Sequence, residues 1–252
     1  MSTIHQLERE LAALGVVQGE SVLIHSSFKS LGEIKEGPLS IINTLLNLVG
    51  IDGTVLFPAF NFQSWSETHY FDILHTESKM GILSELARAD NRFKRTLHPM
   101  YSFVVAGKFQ DEFCKLDSSN CYGPGSVFDF LTKTDALILS IGLDFNSTFS
   151  ITHHAEKISG ACTYRYDKDF SGIYIGYDRV PRLTTYTMTV RNRLLKVETD
   201  IRPAMGCLLD EGVITAGNIG KALSHSTKAA VFVKSLLPII TDKPEWLHRS
   251  EI

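Results

Sequence analysis

The run from Asn146 to Glu156, NSTFSITHHAE, holds a histidine and a glutamate three residues apart, His153 and Glu156. Residues at that spacing share one face of a helix. The run follows an apolar segment, 135–141 (DALILSI), that reads as a buried strand. The pair therefore stands at the carboxyl end of a strand, the edge of an open α/β sheet where ligands bind. A carboxylate beside an imidazole fixes its tautomer and raises its basicity, and the two together make a general base. The plain alternative is a capping or surface histidine with an incidental glutamate. His154 faces elsewhere on the same helix and reads as structural.

Three other segments carry groups suited to a ligand. In RTLHPMYS, Arg95 to Ser102, a histidine precedes proline, so His98 is held out of the helical region on an extended or turn segment. Such a position can face a cleft, or it can hold a hydrogen-bonded structural histidine. In HSSFKSLG, Ser26, Ser27 and Ser30 with free backbone N–H groups and Lys29 can cradle an anion directly after a strand. A plain helix cap explains the serines equally. In YGPGS, 122–126, two glycines permit close approach to a ligand, or simply make a turn.

Other chemistries lack their residues. Gly-x-Gly-x-x-Gly, Gly-x-Ser-x-Gly and His-Glu-x-x-His do not occur. Gly212 and Gly217 have the spacing of a phosphate loop, but Asn218 and Ile219 stand where it needs Lys and Ser or Thr. His153, His154, Glu156 and Asp144 do not complete a four-ligand set, so no metal is expected. Cys114, Cys121, Cys162 and Cys207 form no Cys-x-x-Cys pair and read as reduced thiols. Nothing marks Cys162 as an activated nucleophile.

The elements that position these groups follow the apolar pattern. A helix over 3–14 is capped by Thr3, with Gln6 completing a capping box, and Gly15 stops it. Ser21–His25 and Thr54–Pro58 read as buried strands. Between them a helix runs from Pro38 to Val49 and ends at Gly50. Strand, helix and strand in that order imply a parallel βαβ unit and an α/β fold. A helix near 80–90, a strand over 102–105 and a helix from Ser126 to Leu131 follow. The polar and aromatic stretch 61–79 reads as a long loop, and such loops are commonly functional. Residues 170–200 alternate as two or three antiparallel strands, a small appendage. A helical tail is expected over 218–237.

The chain has 252 residues, a net charge of −3 and 44% hydrophobic residues. That suits one domain over 1–252 and excludes wholesale disorder. No excess of cations exists to neutralise a nucleic acid. No apolar run reaches the length of a membrane span, and no signal peptide is read, so a cytoplasmic protein without membrane partner is expected.

The ordered set of these segments resembles the aminoglycoside 3-N-acetyltransferases, the antibiotic N-acetyltransferase family, which is unrelated to the GNAT fold. LIHSSFKSLG, GPLSIINTLLNLVGIDGTVLFPAF, RTLHPMYSFVVAG, YGPGSVFDFL, LILSIGLDFNSTFSITHHAE and GNIGKALSHSTKAAVFVKSLL occur in the family's order over nearly the whole chain. The resemblance implies a largely parallel or mixed sheet flanked by helices, acetyl-CoA or another acyl-CoA as donor, and an amine acceptor. It puts catalysis on His153 and Glu156. It puts cofactor contacts on Ser26, Ser27, Lys29, Ser30, His98 and Ser102, with Lys29 paired to a CoA phosphate. Thr148, Ser150 and Thr152 stay open as the family's threonine.

The expected reaction is direct attack of an amine on the thioester. The acceptor follows from the 61–79 segment. Phe62, Trp65 and Tyr70 offer flat faces to a sugar or base, while Glu67, Asp72 and Glu77 are too few acids for a polycation. An amino sugar, free or on a nucleotide carrier, is the expected substrate. The alternatives are an aminoglycoside-modifying resistance enzyme and an inactive CoA-binding protein, the latter disfavoured by the intact His153 and Glu156. No protein partner is expected beyond a second copy of the chain, as a homodimer.

Overall fold

The computed structural model describes residues 3–117 and 119–250. Helix α1 (Ile4–Ala13) begins at Thr3, whose hydroxyl accepts from Gln6 N. The Gln6 side chain turns to Glu10, so only half of the expected capping box forms. Strand β1 (Ser21–Ser26), helix α2 (Pro38–Val49) and strand β2 (Thr54–Pro58) make the expected unit, with β1 and β2 parallel. Pro38 starts α2 where a missing N–H costs nothing, and Gly50 at φ 64° ends it.

The 61–79 stretch is not a loop. It contains a one-turn helix α3 (Phe62–Ser66), capped by the Asn61 side chain at 3.1 Å from Ser64 N, and a strand β3 (Tyr70–Asp72). Elements this short leave no periodic signature. Helix α4 (Ile82–Ala89), strands β4 (Lys94–Arg95) and β5 (Phe103–Gly107), helices α5 (Gln110–Lys115) and α6 (Val127–Lys133) and strand β6 (Leu137–Ile141) follow. Helix α7 (Ile151–Ser159) carries the His153–Glu156 pair.

The alternating region forms a long antiparallel hairpin, β7 (Arg165–Ile175) and β8 (Pro181–Arg191). Strand β9 (Val197–Thr199) lies apart from it. Helix α8 (Arg202–Asp210), strands β10 (Thr215–Ile219) and β11 (Ala222–Lys228), helix α9 (Ala229–Asp242) and strand β12 (His248–Ser250) complete the order. The expected tail helix over 218–237 is therefore half wrong. Gly220, at φ 58°, turns β10 back into β11, and helix starts only at Ala229.

The main sheet runs β10-β11-β6-β1-β2-β5-β4. Its centre, β6-β1-β2, is parallel and its flanks are antiparallel, so the sheet is mixed. Alternation along β1 sends Leu23 into one apolar core and Val22 and Ile24 into another on the opposite face. A second sheet, β3-β7-β8, and the pair β9-β12 stand beside it. Among the described residues no helix is long and apolar enough to cross a membrane.

Candidate active site

Helix α7 leaves the carboxyl end of β6 through an unusual residue. Phe149 has a positive φ of 46°, a conformation strained for an aromatic side chain. Its ring is fully buried and stacks on Phe232 of α9 at 5.5 Å. That packing offsets the strain and fixes where α7 begins. Gly160, in the left-handed region, ends the helix.

On α7 the His153 Nδ1 lies 2.6 Å from Glu156 Oε2. The carboxylate accepts, so Nδ1 carries the proton and Nε2 keeps a lone pair. Glu156 is 2% exposed, while the His153 side chain is 20% exposed. The other carboxylate oxygen accepts from the Tyr164 hydroxyl. Arg165 Nε stands 3.2 Å from Glu156 Oε2, and its Nη2 donates to Thr199 Oγ1 at 2.7 Å. Burial alone pushes the Glu156 carboxyl up. His153, Arg165 and Tyr164 outweigh it and leave the group below its ordinary value. For His153, burial and then the Arg165 charge push the imidazole down, and Glu156 only partly opposes them. The imidazole is thus neutral at pH 7.

His154 turns away, its Nδ1 donating to the Tyr122 carbonyl at 2.6 Å. The Tyr122–Gly125 turn is held by Asn120, whose side chain accepts from Tyr122 N and Gly123 N. It brings the Tyr122 ring to 5.4 Å from His153. Tyr122, Tyr164, Arg165 and Thr199 escape a reading of sequence, because three of them come from strands and a turn that fold back over α7. No spacing rule links them to it.

A cleft of about 410 Å³ opens at the carboxyl ends of β1, β2 and β6. Ser26, Ser27 and Lys29 line it, opposite Lys79 and the start of α4. Ser30 does not line it. Its hydroxyl donates to Ser27 O at 2.6 Å and closes the turn. Gly142 passes so near that a Cβ there would lie 1.7 Å from Ser30 Oγ. The backbone N–H groups of Ser27 and Ser30 are also taken, by Ile141 O and Ser27 O.

His98 and Ser102 lie outside that cleft. Ser102 is fully buried, accepting from Arg95 Nε at 2.9 Å and donating to Ala59 O at 3.1 Å. It serves the buried Arg95 guanidinium, which also donates to Ala59 O and Thr76 O. His98 accepts from Tyr101 N at 3.2 Å and packs 5.0 Å from Tyr186. Burial pushes its imidazole down to about 4.

The three aromatic candidates separate. Trp65 is fully buried, donates from Nε1 to Phe170 O at 2.9 Å and packs on Tyr174 and Tyr186. It cannot offer a face to a substrate. Tyr70 is exposed on β3. Phe62 is half-buried and lines a cleft of about 710 Å³ beneath the β7–β8 hairpin.

Comparison with known proteins shows the family of the chain. A sequence model described as aminoglycoside 3-N-acetyltransferase matches residues 23–238, and the chain belongs to that family. The class is that of acyl-CoA-dependent N-acyltransferases, enzymes that draw on acetyl-CoA. Aminoglycoside N(3)-acetyltransferase VIII of Streptomyces fradiae is 26% identical over 230 residues, 83% of this chain and 76% of that protein. An SPbeta prophage-derived aminoglycoside N(3')-acetyltransferase-like protein of Bacillus subtilis, YokD, is 28% identical over 168 residues, 58% of this chain and 62% of its own length. The crystal structure of YokD superposes with a TM-score of 0.82 at 21% identity, covering 96% of this chain and 94% of that one. AAC-IIIb, solved in a binary complex with CoASH, gives 0.81 at 21% identity over 95% and 96% of the two chains.

Proposed function

We propose that the protein transfers the acetyl group of acetyl-CoA to a primary amine of an amino sugar. His153 Nε2 takes a proton from the acceptor nitrogen, since an amine must be neutral to attack. The freed lone pair forms the new C–N bond, that nitrogen releases its second proton to solvent, the C–S bond breaks, and the CoA thiolate recovers the first proton from the imidazolium. Glu156 holds the ring and stabilises its charge. The donor occupies the cleft bounded by Ser26, Ser27 and Lys29, at the strand ends where α/β sheets bind ligands. One observation carries the reading, the 2.6 Å contact that puts the proton on Nδ1 and leaves the Nε2 lone pair on a part-exposed side chain, with the Arg165 guanidinium 3.5 Å away.

The names of the relatives back an aminoglycoside acceptor, the resistance reaction, over the nucleotide-linked amino sugar expected from the 61–79 segment. The burial of Trp65 also removes one support of that expectation. Thiol release from acetyl-CoA, measured with gentamicin, sisomicin and simple amino sugars, tests the reaction. Release that rises with added acceptor is expected. No rise above background hydrolysis with any amine would end the reading.

A further inference from the structure

The cleft beneath the hairpin is charged in a way that bears on the acceptor. It is the face of β7 that carries Tyr166, Lys168 and Phe170, walled by Phe62 and by the turn after β8. Lys168, Arg191 and Arg193 line it, and among the described residues no carboxylate does. Period-two alternation produces this separation. Asp167 and Asp169 fall on the other face, where Thr189 and Thr187 donate to them at 2.7 and 2.6 Å and Lys157 pairs with Asp167. Lys168 Nζ sits 5.0 Å over the Phe170 ring. Neither Lys168 nor Arg193 has a carboxylate partner among the described residues.

Arg193 is presented by a fixed turn. Asn192 N donates to Tyr164 O at 2.8 Å, and the Asn192 side chain accepts from Leu194 N at 3.1 Å. The cleft also adjoins the catalytic pair. Tyr166 lines both this cleft and the one of about 250 Å³ that holds Glu156 and Arg165. Phe62 packs on Tyr101 at 5.0 Å, Tyr101 on Tyr122 at 4.8 Å, and Tyr122 on His153. The acids nearby are already spent, Glu156 on His153, Arg165 and Tyr164, and Asp167 on Lys157. An acceptor bearing several ammonium groups would meet guanidinium and lysine charges and, among the described residues, find no unpaired carboxylate lining either cleft.

We propose that this cleft holds the anionic part of the acceptor, so that the amine reaching His153 is carried on an amino sugar linked to a nucleoside diphosphate. The proposal rests on the acetyl-transfer reading above and changes only its acceptor. Lysine and arginine forks form charge-assisted hydrogen bonds to phosphate oxygens. Phe62, Tyr166 and Phe170 supply flat faces for the base and sugar rings.

Calorimetric titration of UDP into the full chain saturated with CoA tests it, because bound CoA already fills its own nucleotide site. Saturable binding is expected. It should weaken by about tenfold or more in the Lys168→Glu, Arg193→Glu double variant, the scale of one or two charge-assisted hydrogen bonds. CoA affinity and melting temperature should stay unchanged, which shows that the variant is folded. No UDP binding at millimolar concentration, or equal binding by the folded double variant, would overturn the proposal. The readout does not depend on turnover. Failure of acetyl transfer itself would show as absent thiol release with every acceptor, whatever UDP does.

Discussion

Arg165 Nη2 lies 3.5 Å from His153 Nε2, the nitrogen proposed to receive the acceptor's proton. A positive charge at that distance disfavours a second one on the imidazole. Burial and Arg165 both lower the proton affinity of His153, so the imidazole stays neutral to a pH below its ordinary value of 6.5. The acidic limb of the kcat/KM profile should therefore fall below pH 6.5. Arg165→Met removes the repulsion while Glu156 still attracts the proton, so the limb should move up in pH. A pH series on both proteins checks the sign. An unmoved or lowered limb in the variant would show that Arg165 does not tune the base.

Glu156 is buried against His153, Tyr164 and Arg165, and its role extends to stability. Glu156→Gln leaves the Arg165 guanidinium buried without its counter-charge. Such losses cost about 3 kcal/mol or more. Urea unfolding should show that loss, together with reduced turnover. Because the folded carboxyl lies below its ordinary value, its contribution is whole above the unfolded value of about 4.5 and is lost as pH falls further. The difference between wild type and variant should shrink in acid.

Lys29 and Lys79 both line the cleft at the strand ends. Lys29→Glu should weaken CoA more than a pantetheine fragment without the nucleotide. Thermal shifts with both ligands check it, since a ligand stabilises by mass action. Equal weakening of the two would remove Lys29 from phosphate recognition.

Trp65 and Phe62, two aromatics of one segment, should behave oppositely. Trp65→Ala opens the core between Phe170, Tyr174 and Tyr186 and should cost about 3–5 kcal/mol of stability. Phe62→Ala, at a half-buried cleft wall, should raise the acceptor KM with a smaller loss of stability. Unfolding curves and acceptor KM values for the two variants separate the roles.

The β1-α2-β2 unit is legible in sequence because apolar runs and the Pro38 and Gly50 boundaries all agree. His153 and Glu156 are legible as a pair because helical spacing alone brings them together. The rest depends on partners that sequence does not display. Ser102 shows a hydroxyl but not the buried Arg95 that uses it. Trp65 shows an aromatic face but not the Phe170 carbonyl that draws it inward. Residues 218–228 mix apolar and polar positions that fit a helix nearly as well as the β10–β11 hairpin, and the Gly220 turn decides between them. Arg165 lies nine positions beyond Glu156, on a strand whose path back over α7 is set by tertiary packing.

The most direct test of the central claim is acceptor-dependent thiol release from acetyl-CoA by His153→Ala at pH 7, beside CoA affinity measured on the same protein. Loss of a positioned base should lower turnover by about 10²–10⁴-fold. CoA affinity and melting temperature should hold, because the imidazole is partly exposed and lines neither core nor donor cleft. Near wild-type turnover in a folded, CoA-binding variant would contradict the assignment of His153 as the base.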